Sequence, residues 1–191
     1  MKQLNLILAS TSPRRKALLE QIDIPFSSVP PKNADETLDA TKNHVHSIEQ
    51  LALEKAQSLR EDYDDHIILG ADTLVKVNDH VLGKPVDGDD AKRMLRELSG
   101  KTHQVITGVA IVTPTATQMF HSITDVVFHA ITDEEIDEYI ASQEVFNKAG
   151  AYAIQGFGAR YVKSISGDYY TVMGLPLNKV YRALMSILSE N

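Results

Sequence analysis

The 191-residue sequence contains no cysteine and no tryptophan, and only 6% of it is aromatic. Without thiols there is no disulfide, no thiolate metal site and no cysteine nucleophile. Basic residues are also scarce: 19 Lys and Arg face 26 Asp and Glu, a formal charge of -7. Such a balance opposes long-range attraction to a nucleic-acid polymer or an anionic membrane, so neither is expected as a partner. One small anion gathered by a local cluster of cations is still compatible with it. Long apolar runs are missing as well. The opening stretch Met1 to Ala9 is too short to cross a bilayer and lacks a signal-peptide core. The expectation is a cytoplasmic protein. What is present, 43% apolar and 24% charged residues, suits a globular chain that folds without staples.

No repeat, low-complexity tract or long linker interrupts the chain, which predicts one continuous domain over 1–191. Residues 4–9 are apolar nearly throughout and read as a buried strand. A helix follows, with Ser12 as N-cap, Pro13 in the first helical position and Ala17, Leu18 and Ile22 inward. Ile24 to Val29 reads as a second strand and 32–46 as a polar loop. From Ser47, helical spacing sets Ile48, Leu51, Ala52, Lys55, Ala56 and Leu59 on one face. His66 to Val77 is a long strand turning through Asn78-Asp79, and Asp87 to Leu98 a helix stopped by Gly100. Thr102 to Val112 and Gln118 to His129 suggest an antiparallel hairpin, and Thr132 to Glu135 a capping box. Short strands are expected near 152–154, 160–165 and 168–173, then a helix from Pro176. The fold class that results is α/β: a mixed central sheet with flanking helices, and two lobes around a cleft.

Several stretches are candidates for chemistry. Ser10-Thr11-Ser12-Pro13-Arg14-Arg15 follows a strand and opens a helix. Its N–H groups, hydroxyls and guanidiniums suit a phosphate, although a capped helix with solvated arginines has the same pattern. Gly70-Ala71-Asp72-Thr73 sets a carboxylate in an apolar strand, costly unless it is paired, metal-bound or at a cleft. The bland alternative is a structural Asp at a bulge marked by Gly70. Lys55 on an apolar helix face either snorkels to water or points at a ligand, and Lys84 is framed by Gly83 and Pro85. Within Lys148-Ala149-Gly150-Ala151-Tyr152-Ala153-Ile154-Gln155-Gly156, Gln155 could read the polar edge of a base or satisfy loop backbone. Asp35-Glu36, in the polar loop, offers carboxylates for a metal or for solvent. His44 and His46 make a poor metal pair, and a structural role suits His103 better than a cleft role. No P-loop, dinucleotide, zincin, nucleophile-elbow or calcium-loop pattern occurs.

In their order along the chain, Leu8 to Arg15, Leu53-Glu54-Lys55-Ala56, Gly70-Ala71-Asp72-Thr73, Gly83-Lys84-Pro85, Leu98 to His103 and Lys148 to Gly156 resemble the Maf family of nucleoside triphosphate pyrophosphatases. The resemblance spans nearly the whole chain. It implies an inosine-triphosphatase-like α/β fold, often dimeric, so a homodimer is the expected assembly. It also implies a divalent cation, Mg²⁺ or Mn²⁺, and cleavage of a nucleoside triphosphate to monophosphate and pyrophosphate. Asp72 matches the family's active-site base, and Arg15, Thr73 and Gln155 match the branch acting on dTTP and UTP. On this reading Ser10, Arg14, Arg15, Thr73 and Gln155 bind substrate, while Asp72, Lys55, Lys84 and Glu36 serve catalysis. Glu36 and Asp72 hold the metal, with Asp35 the alternative to Glu36, and Asp72 acts as base, ligand or both. The rival function is a nucleotide-binding regulator of cell division or septum formation with little catalysis. A third, general phosphatase activity would yield orthophosphate.

Overall fold

A computed structural model describes residues 5–32 and 43–190 of the chain. In chain order the elements are β1 (Leu6–Ala9), α1 (Pro13–Gln21), β2 (Ser27–Val29), α2 (His44–Gln57), β3 (Ile67–Val77), β4 (His80–Leu82), α3 (Gly88–Leu98), β5 (Thr102–Val112), β6 (Thr117–Phe128), α4 (Asp133–Ala141), β7 (Val162–Ser166), α5 (Tyr169–Met173) and α6 (Leu177–Glu190). The strands form a seven-stranded sheet in the order β2-β1-β3-β5-β6-β7, with β4 on β3. β1 pairs parallel to both β2 and β3, matching Ile7 with Ser27 and Ile68. β4 on β3 and β7 on β6 are antiparallel. β5 and β6 are neighbours joined only by Thr113 to Ala116, a link too short for a parallel crossover. The Thr113 amide donates to the Ala116 carbonyl at 2.8 Å and closes that turn. The expected mixed α/β class is what the chain adopts.

Two compact units divide the chain. One comprises the stretches up to Asp72, Thr107–Ser122 and Gly174 onward; the other comprises Thr73–Ile106 and Ile123–Met173. The first unit buries Ile7, Ala9, Ile68 and Val112 of its strands with Ala56 and Leu59. The apolar run of β1 follows from this, since a strand flanked on both edges and covered on its faces has no solvent side. The second unit packs Ala91, Met94, Leu95 and Leu98 of α3 with Phe128 and Tyr139, among others. Those α3 positions recur at the spacing of one helix face. Its caps are in place: Asp87 accepts from the Asp90 amide at 2.8 Å, and the Thr132–Glu135 capping box closes in both directions.

Several expectations change. The second strand shrinks to Ser27–Val29, because Pro25 has no N–H to give a ladder. Helix α2 begins at His44 inside the expected loop, since the Asn43 side chain caps Val45 at 2.9 Å. Leu18 and Leu19 are buried in α1, whereas Ala17 is exposed. The expected strand at 168–173 is helix α5: the Asp168 carboxylate accepts from both the amide and hydroxyl of Thr171 at 2.7 Å, overriding strand propensity. Residues 152–154 lie between two 3-10 turns, and the Ala153 amide donates to the Tyr139 hydroxyl at 3.1 Å rather than to a strand.

Candidate active site

In the first unit, β1 runs directly into the start of α1. Ser10 is buried; its hydroxyl accepts from the Ser12 amide at 3.1 Å, and its carbonyl accepts from Ser28 Oγ at 2.8 Å. Ser12 Oγ in turn accepts from the Arg15 amide at 3.4 Å, with Pro13 in the first turn, as its N-cap role predicts. No acidic side chain sits in that turn, so the positive end of α1 keeps Arg14 and Arg15 as its local charges. Arg15 is half-buried, and its Nε donates to the Gly174 carbonyl at 2.7 Å. The arginine is therefore oriented by backbone rather than waving in solvent.

The same unit joins two of the predicted residues. Lys55 lies on the buried face of α2 and is 5% exposed, so its ammonium turns inward rather than snorkelling outward. It donates to Asp72 Oδ2 at 3.0 Å. The Asp72 side chain is 15% exposed, so both members of the pair are largely enclosed by protein. Gly70 explains how α2 comes so close. A Cβ on Gly70 would stand 2.1 Å from the Ala52 carbonyl oxygen, and one on Gly108 of β5 would stand 2.6 Å from that of Ile48. Two glycines thus seat one helix backbone against the strands. The pairing of β3 with β1 runs unshifted from Leu6–Ile67 to Leu8–Leu69, the residue before Gly70.

The second unit carries the other candidates. Thr73 is half-buried on β3, and Lys84 is exposed on the segment after β4. That segment is tied to the glycine-punctuated stretch, because the Gly83 carbonyl accepts from the Gly150 amide at 3.0 Å. Gln155 is exposed and extended, with φ −93° and ψ 161°, at the entry to a 3-10 turn. His103 is a core residue. It is 1% exposed, its Nε2 shares a 2.8 Å hydrogen bond with the Tyr152 hydroxyl, and its ring meets Phe128 edge-on at 4.8 Å. Its Nδ1 finds no partner among the described residues. Burial, against a smaller pull from Asp125, pushes its pKa down to about 4.

A model of the Maf-like protein family matches residues 5–187. The chain belongs to the Maf family. A Bacillus cereus protein named dTTP/UTP pyrophosphatase is 50% identical over 179 residues, covering 94% of this chain and 93% of its own. A Bacillus mycoides protein of the same name is 47% identical over 185 residues, 97% of this chain and 96% of that one. A solved structure of the Staphylococcus aureus Ham1 protein shows a slighter likeness, with 12% identity and a TM-score of 0.46 over 83% of this chain and 79% of that one.

Among the described residues of this Maf chain, no three His, Asp or Glu side chains gather as a metal cluster. No described helix is long and apolar enough to cross a membrane. Glu36 and its alternative Asp35 lie outside the described residues. His44 and His46 fall in the first turn of α2.

One residue escapes sequence reasoning altogether. Glu144 accepts from the Phe157 amide at 3.0 Å, the Gly158 amide at 3.3 Å and the Tyr139 hydroxyl at 3.0 Å. Burial drives its carboxyl pKa upward, but these donors and Lys148 outweigh burial and hold it below the usual glutamate value. In Ser142-Gln143-Glu144 it looks like a solvated helix end. The available cue was indirect: the amides of 156–158 needed acceptors that no regular element supplied.

Proposed function

We propose that this chain hydrolyses nucleoside triphosphates, preferring dTTP and UTP, to the monophosphate and pyrophosphate. The observation that carries the reading is the enclosed Lys55–Asp72 pair, 3.0 Å apart, in a chain about half identical to proteins named dTTP/UTP pyrophosphatase. An enclosed carboxylate paired with a lysine is a poor stabilising device, because desolvation offsets most of the Coulombic gain. It is a good way to aim an acceptor at a water molecule.

In this mechanism a water oxygen attacks the α-phosphorus, the bond to the bridging oxygen of the β-phosphate breaks, and pyrophosphate leaves. Asp72 receives the proton of the attacking water, a role worth about 10²–10⁴-fold. Lys55 fixes the direction of that carboxylate. Arg14, Arg15, the N-terminal end of α1 and Lys84 bind phosphate oxygens and offset the charge that builds on the leaving group. Ser10 holds the loop that presents the helix end. Asp72 offers hard oxygen donors, the kind Mg²⁺ takes when one or two carboxylates share it with substrate phosphates, so the residues fit such a cation. Glu36 and Asp72 would hold Mg²⁺ or Mn²⁺, which when bound supplies further neutralisation of phosphate charge.

Gln155 reads the base. Its carbonyl accepts from N3–H of a thymine or uracil edge while its amide donates to O4, and Thr73 helps orient that edge. A base that leaves one of these groups unpaired is rejected.

The deciding experiment offers dTTP, UTP, CTP and purine triphosphates with Mg²⁺ and identifies the product. Pyrophosphate and monophosphate, fastest from dTTP and UTP, are expected. Orthophosphate would mean a general phosphatase. A thermal shift with dTTP but no turnover would leave a nucleotide-binding regulator of cell division.

A further inference from the structure

We propose that Glu144, acting with Tyr139, is a positioning residue that sets where Gln155 presents its amide to the base. This rests on the reading of Gln155 as the base-recognition residue. Gln155 itself is exposed and belongs to no strand or α-helix, so its direction depends on how the chain is held on either side. One pair holds both sides. Two residues before Gln155, the Ala153 amide donates to the Tyr139 hydroxyl at 3.1 Å. Two and three residues after it, the Phe157 and Gly158 amides donate to the two carboxylate oxygens of Glu144 at 3.0 and 3.3 Å. Tyr139 donates its own proton to Glu144 at 3.0 Å, which joins the two grips into one.

The fit around the carboxylate is close. Gly156 has φ +73°, and a Cβ there would stand 2.5 Å from Glu144 Oε2. A Cβ on Gly158 would stand 2.3 Å from the Ala153 carbonyl and 2.6 Å from the Tyr139 hydroxyl oxygen. The backbone therefore wraps the carboxylate and doubles back against its own start, with Gln155 at the bend. A stack closes it: Phe157 lies parallel to Tyr139 at 5.3 Å, and the Arg160 guanidinium sits 3.7 Å from the Phe157 centroid. Charge-assisted bonds from two amides to one carboxylate are strong and directional. Such second-layer support decides whether a recognition group sits within the fraction of an ångström that selectivity demands.

The test is steady-state pyrophosphate release by the full chain on dTTP and CTP with Mg²⁺, for wild type, Glu144→Gln and Tyr139→Phe. Glu144→Gln turns one acceptor oxygen into an NH₂ that faces an amide donor. The expected result is a KM for dTTP raised about tenfold, a kcat changed less than about threefold, and a dTTP-over-CTP preference cut about tenfold. Tyr139→Phe moves the same quantities in the same direction. Adding Gln155→Ala to Glu144→Gln should remove little further selectivity, because both act through one group. A well-folded Glu144→Gln variant with an unaltered dTTP-to-CTP ratio would overturn the proposal. If that variant does not fold, an unaltered ratio in Tyr139→Phe overturns it instead. A wild-type chain that turns over no triphosphate defeats the parent reading separately; the dTTP and CTP dissociation constants of the same proteins then decide the positioning role. Wild-type protein that binds both nucleotides equally defeats both.

Discussion

Gly70 and Ala52 approach so closely that a single added carbon on the glycine would lie 2.1 Å from the alanine carbonyl oxygen. The obstacle is helix backbone, flanked by the Ala56 amide nitrogen at 3.0 Å, so no side chain can swing aside. Gly70→Ala should destabilise the protein by about 1–3 kcal/mol or more, the usual range for overfilling a packed interior. Because Lys55 rides on the displaced helix, turnover should fall further than stability alone explains. Urea unfolding beside pyrophosphate release under folding conditions checks both. Wild-type stability would show that the strand and α2 separate freely.

Asp72→Asn keeps the size and one carbonyl acceptor for Lys55 while removing the charge. The protein should fold with a loss of about 1–3 kcal/mol, less than the 3–5 kcal/mol of a pair broken outright. Turnover should drop about 10²–10⁴-fold if the carboxylate accepts the proton of water. Near-normal pyrophosphate release would sink that assignment.

Gln155→Glu exchanges a donor for an acceptor at an exposed position. Stability should change by no more than about 0.5 kcal/mol, as for most surface substitutions. The kcat/KM for dTTP should fall about tenfold or more, because O4 loses its donor and a negative charge joins a polyanion site. Rates measured across the four bases decide it; unchanged ratios would remove Gln155 from recognition.

His103 makes folding sensitive to acid. Burial lowers its folded pKa to about 4 from an unfolded value of 6.5, so the unfolded chain binds the extra proton first. Its contribution is therefore fully present above about pH 6.5 and is lost as pH falls through the folded value, roughly 3 kcal/mol across that window. His103→Gln should flatten this part of the stability curve. Chemical unfolding of both proteins at intervals from pH 7 to pH 4 tests it. Parallel curves would mean that burial does not lower the His103 pKa.

Local signals were the legible ones. Ser12, Pro13 and the Thr132–Glu135 box announced their helix starts because a cap is a contact between residues two or three apart. The buried face of α2 and the apolar run of β1 were equally readable from spacing and hydropathy. Asp168 was not, since strand-like side chains in 169–173 outvoted a cap that no pattern had flagged. For Lys55 and Asp72 the residue types drew notice, yet whether the lysine looked out to water or inward was undecidable from the helix alone.

By itself the sequence determined the α/β class, the capped helix start at Ser12-Pro13, the absence of thiol chemistry and the family to which the chain belongs. These follow from composition, from short-range spacing and from motifs whose order survives without coordinates. Only the tertiary structure decided that Lys55 meets Asp72, that Gly70 lets α2 approach the strand closely, and that Glu144 and Tyr139 hold the bend at Gln155. The physical reason is separation: those partners stand 17, 18, 13 or 14 residues apart, so their contacts depend on how helix and strand pack, a property no local pattern encodes.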